Sequence, residues 1–201
     1  MQRARGHELY RRDRADGQRL PRVRERRARD GGIDAGKPCA LVKPSAIGNI
    51  VDGQLPMVNV DMCTARAYCA WAGKHLCGVV GGGVIPRGHE RAQDSVWFRA
   101  CTGGYDLVAS HFVDDKSCQL DASAPVDVGT TCQGGVPGAF EMVGNVWEWV
   151  DANDRPDGAT TYQGVIMGGG YTRSSADCNT LLIATDIGLR SPDIGFRCCS
   201  Q

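Results

Sequence analysis

Ten cysteines and one acidic tryptophan motif are the parts of this sequence whose residue types and spacing could do chemistry. The cysteines stand at Cys39, Cys63, Cys69, Cys77, Cys101, Cys118, Cys132, Cys178, Cys198 and Cys199, and no two form a C-x-x-C pair. The four histidines are scattered, with no H-E-x-x-H. Zinc sites are usually built from such close pairs, so zinc is the minor reading and disulfides the favoured one. Disulfides at this density belong to an oxidising compartment, which makes an extracytoplasmic setting (periplasmic, cell-surface or secreted) the expectation. No charged start followed by an apolar run marks a signal peptide, so the expectation includes a natural start other than the one in this chain.

The second feature is "GNVWEW", Gly144 to Trp149, in a chain only 6% aromatic. Strand alternation sends Trp147 and Trp149 to one face and Val146, Glu148 and Val150 to the other. A carboxylate beside a buried strand must have a partner, because an unpaired buried charge costs several kcal/mol or more. Two partners fit. One is an arginine such as Arg197, or a ring of backbone amides. The other is a hard cation: in an extended strand the carbonyls of Gly144 and Val146 share an edge, Glu148 adds a carboxylate, and Glu141 closes the set. That set is all oxygen with two negative charges, which suits Ca²⁺ better than zinc or copper.

These residues need elements to hold them. "MVNV", residues 57–60, reads as a short strand; Asp61 is a plausible cap for a helix with Met62, Ala65, Tyr68, Cys69 and Ala72 on one face, ended by Gly73. "CGVVGGGVIPRGHE" lacks the lysine of a phosphate loop and reads as a loop. Asp94 can cap a second helix, with Val96, Trp97, Ala100 and Cys101 on one face and Gly103 after it. Beyond it, "FEMV", "NVWEWV", "GVIMGG" and "GFRCC" read as short strands. Two helices and many short strands in a loop-rich chain indicate an α+β fold.

Length and charge set the limits. A globule of 201 residues suits one domain and buries roughly 70% of the surface its unfolded chain exposes. No apolar run reaches the roughly 18–20 residues that span a bilayer. The net charge of zero hides an asymmetry, since residues 1–30 carry eleven arginines against five acids. With few apolar residues and no helical stripe, segment 1–36 reads as solvated and poorly ordered, leaving 37–201 as the folded domain. Interleaved acids and the scarcity of aromatics argue against nucleic-acid binding by this segment.

Together, "PMVNVDMCTARAYCAWAGKHLC", "SVWFRACTGG", "GAFEMVGNVWEWVD", "VIMGGGY" and "IGFRCC" resemble the formylglycine-generating enzyme family, the sulfatase-modifying factor domains, over about residues 55–201. The cysteine-rich form looks like the branch found in secreted bacterial proteins. The resemblance implies an irregular, loop-rich variant of the C-type lectin fold. It also implies a structural calcium at Glu141, Gly144, Val146 and Glu148, with the departure that Glu141 stands where the family usually has the shorter Asp or Asn. The family's oxidase converts a substrate cysteine to formylglycine with a Cys-x4-Cys pair. Counting forward from "GGG", that pair falls on Arg173 and Cys178; counting backward from "GFRC", Cys178 falls on a structural cysteine. Either way the pair is absent. Nor does a redox metal have a visible site, since "RGHER" offers only His89.

On the backward count the resemblance implies Cys101–Cys178 and Cys69–Cys198 bridges. Cys198 and Cys199, being adjacent, face opposite ways in a strand, which makes Cys77–Cys199 attractive; Cys118–Cys132 and Cys39–Cys63 complete one possible set. Three functions arise from different readings: a binding or scaffolding module for a protein, peptide or glycan; a thiol-oxidising enzyme acting through Cys178; and a nucleic-acid binder through the arginines. A bridged Cys178 favours the first and a free one the second. Limited trypsin digestion should remove residues 1–30 quickly and leave a resistant remainder; an intact segment would place it on the folded domain.

Overall fold

A computed structural model describes residues 36–39, 54–104, 118–129, 131–154, 160–184 and 186–200. The arginine-rich segment 1–30 and His111 lie outside the described residues. In chain order the elements are α1 (Gly36–Cys39), α2 (Met62–Trp71), β1 (His75–Leu76), α3 (Val96–Thr102), β2 (Trp147–Asp154), β3 (Gln163–Met167), β4 (Leu181–Ala184), β5 (Ile194–Phe196) and β6 (Cys198–Cys199). The fold is α+β, with two longer helices, short strands and long irregular connections, consistent with a C-type lectin-like architecture.

The larger sheet runs β4-β3-β2-β5; β2 is antiparallel to β3 and parallel to β5. β1 and β6 form a separate antiparallel pair, with Leu76 opposite Cys198 and His75 opposite Cys199. Alternation along β2 then builds two cores. Trp147 and Trp149 join Met62, Ala65 and Cys69 of α2, Ile166 and Ile194 on one face. Val150 joins Trp97, Phe98 and Cys101 of α3, Val165 and Met167 on the other. Trp149 is fully buried, and its indole N–H donates to the Val60 carbonyl at 3.0 Å. Gly164 makes room for it: a Cβ there would lie 2.7 Å from Trp149 Cζ3 and 3.2 Å from Met62 Sδ.

Both helices start on side-chain caps. Asp61 Oδ1 accepts the Thr64 amide at 2.7 Å, and this fully buried carboxylate also takes the Thr64 hydroxyl at 2.9 Å and Arg190 Nε at 3.0 Å. The cap of α3 is Ser95, one residue later than the expected Asp94; its hydroxyl accepts the Phe98 amide. Two expected strands are absent. At 57–60, Asn59 has φ 58° and turns the chain out of extended geometry. At 140–143, Glu141 has φ 48° and does the same. In "GFRCC" the pairing lapses at Arg197, between β5 and β6.

Five disulfides use every cysteine: Cys39–Cys63, Cys69–Cys198, Cys77–Cys199, Cys101–Cys178 and Cys118–Cys132. Cys198 and Cys199 do face opposite ways, one reaching the α2 core and the other the α3 core. Several of these bridges close long loops, spanning 129, 122 and 77 residues of sequence. In the chain-entropy account such long closures restrict the unfolded chain most, each contributing about 2–4 kcal/mol. Intact mass should show no alkylation before reduction and ten alkylated thiols after it; two or more thiols reacting without reductant would contradict the pairing. Replacing Cys69 and Cys198 together by serine should cost about 2–4 kcal/mol in denaturant unfolding.

Candidate functional site

Glu148 sits in β2 on the α3 face and is 6% exposed. Its carboxylate has the arginine partner. Arg197 Nε donates to Oε2 at 2.5 Å and Nη2 to Oε1 at 2.5 Å, a two-pronged pair. Trp97 Nε1 adds a third donor to Oε2 at 2.7 Å. The same guanidinium reaches the carbonyls of Phe140 and Glu141 at 3.0 and 3.3 Å, so it also holds the turn before β2. Planar forks of this kind are the strong form of a buried ion pair. Trp97 was invisible as a partner in the sequence, although a buried indole N–H needs an acceptor and so was a signal to look for one.

The four positions expected to hold calcium come together differently. Gly144 and Asn145 have φ 73° and 57°, and β2 begins only at Trp147, so the Gly144 and Val146 carbonyls do not line an extended edge. A side chain at 144 would meet the Gln119 carbonyl oxygen at 2.5 Å, which is why this turn uses glycine. Glu141 points its carboxylate elsewhere: Oε2 accepts the Gly129 amide at 2.7 Å and Oε1 the Thr131 amide at 2.8 Å. Asn145 spans the turn through Val126, accepting its amide at 3.0 Å and donating to its carbonyl at 3.1 Å. Glu148 is thus paired with Arg197 while Glu141 is turned to Gly129 and Thr131, so the two carboxylates face separate partners.

The second locus is the segment after β3. Cys178 is bridged to Cys101 of α3 and is 3% exposed. Arg173, at the other position of the forward count, lies over the Trp147 ring with its guanidinium carbon 5.6 Å from the centroid. Its backbone is held at both ends, donating to the Gly170 carbonyl at 3.0 Å and accepting from the Asp121 amide at 2.8 Å. Elsewhere, a crevice lined by Arg87, Glu90, Asn153, Asp154, Gln163 and Ile183 has a volume of about 10 Å³, room for roughly one water.

The chain matches the family model of the sulfatase-modifying factor enzyme 1-like domain over residues 45–201 and belongs to that family. None of the curated proteins matches it. Among solved structures it is similar to the crystal structure of CarF, at 20% identity and a TM-score of 0.50, over 73% of this chain and 67% of that one. At that identity the likeness concerns the fold.

The Arg197 pair makes two measurable claims. Arg197→Met leaves a buried carboxylate with only Trp97 as donor and should cost about 3 kcal/mol or more. The melting temperature should not move between micromolar and millimolar calcium; a rise that Glu148→Gln abolishes would put a cation at this carboxylate.

Proposed function

We propose that this chain is an extracytoplasmic, disulfide-stapled binding or scaffolding module of its family that does not carry out cysteine-pair oxidation. The observation that carries the reading is that every cysteine is committed to a disulfide, Cys178 included. Thiol oxidation needs a thiolate and a resolving or metal-sharing partner. Cys178 spends its sulfur on tying the segment after β3 to α3, and the neighbouring position of the forward count is an arginine. Five disulfides also support an oxidising location, where such bonds persist. Among the described residues no helix is long and apolar enough to cross a membrane.

The partner is a protein, peptide or glycan rather than nucleic acid, because residues outside 1–30 carry a net charge of −6. Calcium is not part of the proposal; Arg197 supplies the positive charge opposite Glu148.

The test is an oxidation assay with a C-x-P-x-R peptide, copper and reductant. No conversion of the peptide thiol to an aldehyde is expected, and Cys178→Ser should change only stability. Turnover that Cys178→Ser abolishes would establish the enzyme reading instead.

A further inference from the structure

The arginines of the described domain fall into two groups. Arg66 pairs with Asp151, Arg87 with Asp154, Arg190 with Asp61 and Arg197 with Glu148. Arg91, Arg99 and Arg173 have no carboxylate partner among the described residues, and all three are exposed. Two of these are tethered to one place. Arg91 Nε donates to the Asn179 carbonyl at 2.8 Å, and Arg173 Nε donates to the Ser175 carbonyl at 3.3 Å. Each therefore uses its inner nitrogen on the same short segment, leaving the outer fork without an acid among the described residues.

That segment is rigid for reasons independent of the arginines. The Cys101–Cys178 bridge anchors it, and Asp177 Oδ1 turns inward to accept the Asn179 amide and the Thr180 hydroxyl, both at 2.9 Å. Trp147 supports the Arg173 guanidinium from below. Rotamer freedom normally lost when arginine binds an anion has thus already been reduced. The cations also stand out, because the chain beyond residue 30 is net acidic.

We propose that residues 171–180, with Arg91, form a docking surface for an acidic peptide segment whose carboxylates are taken by the outer nitrogens of Arg91 and Arg173. The guanidinium fork matches a carboxylate in a two-pronged geometry. The strand next to this segment favours a peptide over a glycan. β4 is the terminal strand of its sheet, it begins at the residue after Thr180, and its Leu182 and Ile183 are 51% and 40% exposed. Among the described residues no further strand lies on this edge, and an edge with exposed apolar side chains suits an extended peptide backbone and its non-acidic residues. Arg173 is close to the head of this strand: a Cβ on Gly169 would lie 3.4 Å from Arg173 Cδ and 3.8 Å from Thr180 Cγ2.

The inference rests on the binding-module reading. It is tested by titrating the oxidised full chain with a short acetylated peptide of alternating glutamate and leucine, beside its glutamine-leucine counterpart. Binding should be specific to the glutamate peptide, fall with added salt, and weaken about tenfold in each of Arg173→Gln and Arg91→Gln, with melting temperatures unchanged. Leu182→Ser, which removes the apolar contact without changing the charge, should weaken it as well. Failure of the glutamate peptide to bind, equal binding of the glutamine peptide, or unaltered binding by both arginine variants would overturn the proposal. So would tighter binding of a sulfated disaccharide through the same arginines. The peptide-thiol assay on the same preparation separates the two readings, since turnover there sinks the module without touching the arginine result.

Discussion

A carboxylate buried in the central strand of the sheet is the constraint around which the other parts of this fold are arranged. Glu148 lies in β2 on the α3 face, and a charge there is tolerable only with several donors in place. Arg197 and Trp97 supply them, one from the carboxyl-terminal stretch and one from α3. Because the same guanidinium also holds the carbonyls of Phe140 and Glu141, the turn into β2 and the exit from β5 are fixed by one side chain. The pair thus sets the place of the residues after it. Cys198 and Cys199 come directly after Arg197 and send bridges to α2 and to the strand-end at Cys77, one into each core.

Disulfides carry the rest of the organisation. Regular elements are short, and much of the chain between them consists of turns whose backbone groups are met one at a time, as by Asn145 at Val126 or Glu141 at Gly129 and Thr131. Such segments gain little from cooperative ladders, so restricting the unfolded chain matters more. This arrangement bears on chemistry as well as stability. A sulfur that closes a loop is not available as a nucleophile, and on the module reading the chain retains its family's fold while its thiols serve structure. Fold and activity are separable properties.

Much of this was legible in the sequence because it depends on short-range rules. Residue alternation in "NVWEWV" placed the tryptophans and Val150 on opposite faces, the Asp61 and Gly73 signals bracketed α2, and ten cysteines without close pairs pointed to bridges. Adjacent cysteines in a strand must diverge, which is why Cys198 and Cys199 could be assigned to different partners. Where local patterning failed, the cause was left-handed backbone at a residue other than glycine. Asparagine adopts positive φ more readily than most residues, but glutamate does not, and Asn59 and Glu141 each remove an expected strand.

What only the tertiary structure decided is the choice between partners that local pattern leaves open. The residue types at 141, 144, 146 and 148 favoured a cation, and Arg197 was the lesser claimant for Glu148. Sequence determines which groups require a counter-charge, since burial follows from the alternation of β2. It cannot determine which group arrives, because that depends on how a turn at 141–145 and a strand exit near 197, more than fifty residues apart, are brought together. The same holds for Arg173: its charge is written in the chain, but its support by Trp147 and its lack of an acid among the described residues arise only when β2 and the segment after β3 meet.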